Sequence, residues 1–562
     1  MDGRREEGRG RLARMAQSPP RNMRDYAATH RDFRWERPEH FNFATDVVDR
    51  HAAERGESLA LLWSDETGRE QRFTWQGVKQ RSLHAAQFLT GLGLKKGDRA
   101  FIMMPRVPEW WFLVLGCIRA GIVFMPGTPM LTVKDIRYRL VAADANAVIA
   151  DVSCLERFEG LAGTGRVETW VAVGEGAPAP WVRYESGTVG TGAHGQDFAP
   201  TRAEDPLLIY FTSGTTGMPK MVLHTQVSYG LGHVITGRYW LDLTPEDRHL
   251  TLSDTGWAKC AWGKLFGPWS QGACNVVYDF RGRFEPEKLL KVLASQKVTT
   301  FCAPPTAWRA MVLKELKDYD LSSLRHTVSA GEPLNPEVID TWKAATGLHI
   351  REGYGQTETV VVVGMFPSVE PRVGSMGKPS PGFTVGVIDD AGQEVKDGQE
   401  GDIAVRVAPE RPVGLFQEYL GDAAANAACR RGDWYVTGDR AVRDAEGYFY
   451  FVGRADDVIK TSGYRVGPFE VESALLEHAA VAESAVIGVP DDKLGQRVKA
   501  YVVLAPGFIA SHELAKELQE HVKRTTAPYK YPREVEFVLE LPKTVSGKIR
   551  RAELRATPPK PA

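Results

Sequence analysis

The sequence predicts an α/β protein: a large N-terminal domain of mixed, mostly parallel sheets flanked by helices, followed by a small α+β C-terminal domain. Three observations carry that reading. From about Asn42 onward, short β-branched or aromatic runs alternate with helical patterns, the arrangement that builds parallel sheets. The final stretch of about a hundred residues has apolar periodicities of its own. The length, 562 residues with 43% hydrophobic and 25% charged, suits more than one folded unit with ample core.

Taken in order, residues 1–40 read as a flexible tail. Arginines 4, 5, 9, 11, 14, 21 and 24 crowd it, but no apolar h-region follows, so it is not a secretory signal. A mitochondrial transit peptide is acid-poor, and Asp2, Glu6, Glu7 and Asp25 stand among the arginines, so a cytoplasmic protein is expected. Ser82 to Leu92 is helical and stops at Gly91-Leu92-Gly93. Trp110 to Ile118, cut short by Arg119, is a core helix and far below the ~20 residues of a membrane span. Strands are expected at Ala100–Met103, Ala147–Ala150, Leu207–Phe211 and Val298–Phe301, with a helix after Pro305 through Leu316. Between Val173 and Pro206, Gly, Ala and Pro predict a surface loop or junction. Near Gly453–Asp457 the chain passes into the small domain: a helix opening at Pro468, strands Ser484–Val489 and Lys499–Leu504, a helix Glu513–Lys523, and a one-faced strand through Val535, Phe537, Leu539 and Leu541.

Composition excludes several functions. A net charge of -1 gives no global attraction to nucleic acid or anionic membrane. The six cysteines form no C-x-x-C pair and are too dispersed for a zinc or disulfide framework. Any anion site must therefore be local.

The most informative segment is Thr212-Ser213-Gly214-Thr215-Thr216-Gly217-Met218-Pro219-Lys220, entered from a strand. Glycines let backbone N–H groups close on an anion, hydroxyls add donors and the lysine adds charge. The Gly-Lys-[Ser/Thr] of a Walker A loop is absent. Four further strings follow in order: Glu352-Gly353-Tyr354-Gly355-Gln356-Thr357-Glu358; Trp434 to Asp439; Gly453 to Lys460 running into Ser462-Gly463-Tyr464-Arg465; and Pro542 to Lys548.

Together these strings resemble the adenylate-forming superfamily of acyl-CoA and aryl-CoA synthetases, luciferases and peptide-synthetase adenylation domains. The resemblance spans Phe41 to Arg555, and Ser253–Trp257 with Thr526–Arg533 look like the medium-chain acyl-CoA synthetases. It implies domains at 41–455 and 456–562, a small barrel-like β subdomain in the first, and a mobile second domain hinged at Asp456. It also implies the chemistry: a carboxylate attacks the α-phosphate of ATP, and the acyl-adenylate then passes its acyl group to the thiol of coenzyme A. A carboxylic acid with a pKa near roughly 4 is already ionised at neutral pH, so no general base is sought.

By the same resemblance, Thr212–Lys220 and Mg²⁺ hold the phosphates, with Glu358 and Thr216 as metal ligands. Glu332, Pro333 and Glu352 to Gln356 wall the nucleotide, with the Tyr354 ring against adenine. Asp439 and Arg454 meet the ribose. Lys548, Thr357, Glu358 and Lys460 form the catalytic set. Ser462, Gly463, Tyr464, Arg465, Lys523, Tyr531, Pro532 and Arg533 face CoA, while Trp257, Gly331, Thr357 and the run Val360–Val363 line the acid pocket. Met130 stands where several relatives carry a polar Gln. Taken one at a time, Tyr354 also reads as core, Asp439 as a turn residue and Lys548 as a solvated lysine.

Residues 521–555 hold nine Lys/Arg against four acids, read either as the CoA footprint or as a solvated face. Two other readings stay open: an aryl-acid ligase, and a nucleotide-binding relative without catalysis. Pro542 to Lys548 also resembles the surroundings of reversibly acetylated lysines, which makes a lysine acetyltransferase and deacetylase expected partners. Oligomeric state is not legible in the sequence.

Overall fold

The computed structural model describes residues 19–185, 198–212, 218–461, 464–491, 493–543 and 549–556. Among these, two large sheets form the body of the first domain. One has nine strands and the other eight; each has a run of parallel neighbours and antiparallel strands at one or both edges. Helix Pro108–Ala120 packs at the centre, opened by Pro108 and stopped by Gly121 at φ 68. Its neighbour, Trp75–Gly91, approaches so closely that a Cβ on Gly116 would lie 2.7 Å from the Ala85 methyl. The core helix and the strands at 99–103, 147–151 and 206–212 stand where the sequence places them, and the strand expected at Val298–Phe301 runs two residues later, at Thr300–Ala303.

A third sheet of five antiparallel strands, Val385–Ile388, Glu400–Arg406, Arg430–Arg431, Trp434–Arg443 and Phe449–Arg454, is the barrel-like subdomain. Bulges at Asp402/Ala404 and Arg440/Ala441 bend it. Beyond Asp456 comes the small domain, whose strands Val481–Asp491 and Gly495–Leu504 pair over their full length. Helices Pro468–Leu476 and His512–Thr525 cover the sheet and enclose a separate apolar core.

Three expectations change. Residues 19–40 are not a loose tail: Met23 is fully buried, helix Tyr26–Asp32 lies on the domain, and Tyr26, His30 and Trp35 bond the backbone at Pro379, Phe383 and Gly382. Aromatic residues and a buried methionine overrode the arginine content. Within 173–206, Val182–Tyr184 adds a parallel edge strand and buries Tyr184. The last strand ends at Phe537, not Leu541: one residue later the alternation slips, Val538 and Leu541 turn inward, and Leu539 is 68% exposed.

Candidate functional site

The glycine-rich segment closes a hairpin. Strand Pro206–Thr212 pairs antiparallel with Lys220–Thr225, Thr212 opposite Lys220, and Ser213–Gly217 between them lie outside the described residues. Alternation along the second strand puts Lys220, Val222 and His224 on one face. Strand Glu418–Tyr419 pairs with this strand, Tyr419 opposite Val222, and the Lys220 ammonium sits 4.8 Å from the Tyr419 ring centre. Pro219 is held by the Tyr138 hydroxyl at 3.0 Å, and Met218 is exposed.

The Tyr419 hydroxyl donates to Glu358 Oε1 at 2.8 Å. Burial raises the Glu358 pKa, and this hydrogen bond opposes the shift. The Phe416 amide donates to the Glu358 carbonyl at 2.7 Å, and His224 bonds the Thr357 carbonyl at 2.7 Å. A half-buried carboxylate beside a hydroxyl-rich hairpin is a hard-oxygen donor set of the kind that suits Mg²⁺ with phosphates. Its expected companion, Thr216, lies outside the described residues.

Asp439 is the second centre. It is 4% exposed and pairs in register with Arg454 across the antiparallel strands. Its Oδ2 accepts from the Tyr354 hydroxyl at 2.6 Å and from the Gln356 amide at 2.7 Å; Arg454 Nε stands 3.4 Å from Oδ1 and 3.6 Å from Asp456. Gln356 is oriented in turn by the Thr437 carbonyl and the Tyr435 hydroxyl. Burial and the adjacent carboxylate drive the Tyr354 phenol pKa upward, so it stays a proton donor. Gly355 admits the Val360 carbonyl, 2.4 Å from where its Cβ would be, and Gly353 admits the Trp240 ring.

Glu352 has a different place from its neighbours. It is 8% exposed, and its carboxylate accepts from the Leu334 amide at 2.8 Å. Burial pushes its pKa up to about 7. It therefore pins the Glu332-Pro333-Leu334 loop. Glu332 lies 3.8 Å from Arg309.

Of the residues expected to line the acid pocket, Gly331 meets the short helix that Trp257 caps: the Lys259 ammonium lies 3.3 Å from the Cβ position of Gly331, itself at φ +115. Val360 to Val363 are at most 7% exposed and belong to the main core. Met130 is exposed after the loop that ends strand Val123–Gly127. Sequence reasoning missed what sits beneath Ser253–Trp257. Arg106 pairs with Asp254, and the buried Lys264, its pKa lowered to about 8 by burial, donates to the Ser253 carbonyl at 2.8 Å.

On the small domain, Lys460 is exposed and pairs in register with Arg465; Ser462, Gly463 and the stretch from Thr544 to Lys548 lie outside the described residues. Exposed Tyr464 and Tyr529 stack 4.2 Å apart, and Lys523 and Arg533 flank the Tyr531 ring at 4.2 and 5.2 Å. Pro532 is buried. The basic excess over 521–555 is partly offset in three dimensions: Lys523, Lys530, Lys543, Arg550, Arg551 and Arg555 pair with Glu520, Glu470, Glu483, Glu553, Glu472 and Asp457 respectively. Of those acids, all but Glu553 lie outside the counted window. All six cysteines are free, and all but Cys429 are buried. No described helix is long and apolar enough to cross a membrane.

The AMP-binding enzyme family matches residues 48–420, and the AMP-binding enzyme C-terminal domain matches 470–548. The chain is 46% identical to acyl-coenzyme A synthetase ACSM3, mitochondrial, of Mus musculus, over 95% of this chain and 94% of that protein. It is also 46% identical to human ACSM4, mitochondrial, over 95% and 93%. The crystal structure of the anthranilate CoA ligase AuaEII with anthranoyl-AMP superposes with a TM-score of 0.83 at 31% identity, covering 93% of this chain and 98% of that one. The cytoplasmic expectation is corrected by these relatives, which are named as mitochondrial; acids among the N-terminal arginines were too weak a criterion. With both family models matched and this identity along nearly the whole length, the chain belongs to the adenylate-forming AMP-binding enzymes, as an acyl-CoA synthetase of the medium-chain type.

Proposed function

We propose that this acyl-CoA synthetase activates a medium-chain or branched aliphatic acid, using Mg²⁺ with ATP. The observation that carries the proposal is one connected set of side chains: Lys220 to Tyr419 to Glu358 on the phosphate side, and Gln356, Tyr354 and Arg454 around Asp439 on the ribose side. In this reading the acid arrives ionised, and the site's work is to hold two anions together and stabilise charge passing to pyrophosphate. Mg²⁺, held by Glu358 and Thr216, supplies charge neutralisation when bound. Lys220 and the hairpin backbone take the phosphates, Asp439 and Arg454 the ribose, and Lys548 reaches the bond being made.

After pyrophosphate leaves, the small domain turns about Asp456, bringing Lys460 and Ser462–Arg465 toward the adenylate. Tyr464, Lys523 and Tyr531–Arg533 then meet CoA, with aromatic faces and cations where a nucleotide needs both. Acetylation of Lys548 would remove its charge and switch off the first step.

The test is pyrophosphate release with ATP and Mg²⁺ across straight-chain acids, 2-methylbutyrate and benzoate, with and without CoA. A peak at medium chains that turns over only with CoA is expected. An aryl acid is the second reading, favoured by the likeness to an anthranilate CoA ligase. A response to benzoate alone would select it, and silence across the panel would leave a nucleotide-binding protein.

A further inference from the structure

We infer that His224 is a positioning residue for adenylation: it fixes the Thr357–Glu358 peptide so that Glu358 is aimed at the phosphates. The inference rests on the adenylation reading above. His224 lies two alternations beyond Lys220 on the same strand face and is fully buried. Its Nε2 is 2.7 Å from the Thr357 carbonyl oxygen. A carbonyl can only accept, so Nε2 carries the proton. Nδ1 is then bare, 3.2 Å from the Ser228 hydroxyl, and accepts from it; that same hydroxyl oxygen accepts from the Thr225 amide at 2.9 Å. The Tyr229 ring packs edge-on at 4.6 Å. The Thr357 carbonyl sets the tautomer, and Ser228 and Tyr229 of the following turn set the rotation and position of the imidazole.

The Thr357 carbonyl and the Glu358 amide belong to one rigid peptide plane. His224 holds that plane, the Phe416 amide holds the next carbonyl, and the Tyr419 hydroxyl holds the carboxylate. Glu358 is thus fixed at three points, and of the three only His224 acts upstream of it. Burial lowers the His224 pKa to about 4, so the ring contributes a dipole and no charge.

The experiment compares His224→Leu, His224→Gln and Ser228→Ala in the full chain. It measures kcat and KM for MgATP in pyrophosphate release, thioester formation from a supplied acyl-adenylate, and the ¹⁵N spectrum of histidine-labelled protein. His224→Leu is expected to lower the adenylation kcat by about 10–100-fold, the scale of a misplaced group near the reacting atoms. His224→Gln, which can return an amide N–H to the carbonyl, should recover most of that loss. Thioester formation should hold in both, because pyrophosphate and its metal have left by then. Equal losses for Leu and Gln, a wild-type rate for Leu, or a parallel fall in the thioester step would overturn the inference. Should the Leu variant not fold, Ser228→Ala decides: the Thr357 carbonyl keeps Nε2 protonated, while Nδ1 loses its donor, so the Nδ1 resonance should shift and the adenylation rate fall with the ring's looser seating. An unshifted Nδ1, or a shifted one at full adenylation rate, would overturn the inference. Failure of the broader reading shows separately, as wild-type protein that releases no pyrophosphate with any acid.

Discussion

Replacing Tyr419 with Phe isolates one hydrogen bond at Glu358, the carboxylate proposed to hold Mg²⁺. The ring stays, with its contacts to Lys220 at 4.8 Å and Phe416 at 4.8 Å; only the donor 2.8 Å from Glu358 is lost. That bond lowers the Glu358 pKa against the raising effect of burial, so deleting it lets the pKa climb. A hydrogen bond to a charged group is worth about 1.5–3 kcal/mol. At about 1.36 kcal/mol per pH unit, this corresponds to about 1–2 units, with the lower end suited to a half-buried site. The protonated form gains, so activity is lost first on the acid side. The assay is kcat/KM for MgATP against pH, which reports the free enzyme. The acid limb should move up by about one unit while the rate above it returns toward wild type. A uniform drop at all pH values, or an unmoved limb, would refute the assigned role of the Tyr419–Glu358 contact.

Three further outcomes are expected. Glu352, with its pKa raised to about 7 in the fold, binds more protons folded than unfolded between about pH 4.3 and 7, so its contribution to stability falls as pH rises through that window. Glu352→Gln keeps an acceptor for the Leu334 amide and removes the titration; its apparent Tm should exceed wild type at alkaline pH and match it in acid. Lys548→Ala should slow adenylation by about 10²–10³ while sparing thioester formation from supplied adenylate, and equal loss of both steps would contradict the domain turn. Arg551→Ala strands Glu472, 7% exposed and bound through two contacts of 2.6 and 2.7 Å; a loss of about 3–5 kcal/mol should appear as early proteolysis of the small domain with the large one intact.

Much of this was legible in one dimension. The α/β alternation and the core helix gave away the architecture, and the five ordered strings the family, because glycines, caps and loop residues act locally. What escaped was set by tertiary pairing. His224 follows Lys220 at a spacing of four, a same-face signal in a strand, but its meaning depends on Thr357 arriving from 133 residues away. Tyr419 gives no local sign of its bond to Glu358. The basic count over 521–555 overstates the local charge because a linear window cannot see Glu470, Glu472, Glu483 and Asp457, which offset part of it from elsewhere. Val360 to Val363 suggested an apolar lining, but four consecutive valines read the same whether they line a pocket or fill the core that they join here.

Arg454 stands between two carboxylates, 3.4 Å from Asp439 and 3.6 Å from Asp456. In the proposed function the first belongs to the ribose site and the second to the hinge, so that reading has a single cation shared by ligand and joint. Thermodynamic reciprocity then applies: whatever factor a change of domain angle puts on nucleotide affinity, the nucleotide must return to the angle. A substitution at Asp456 should therefore be detectable by titrating ATP alone, with no acid, no CoA and no turnover.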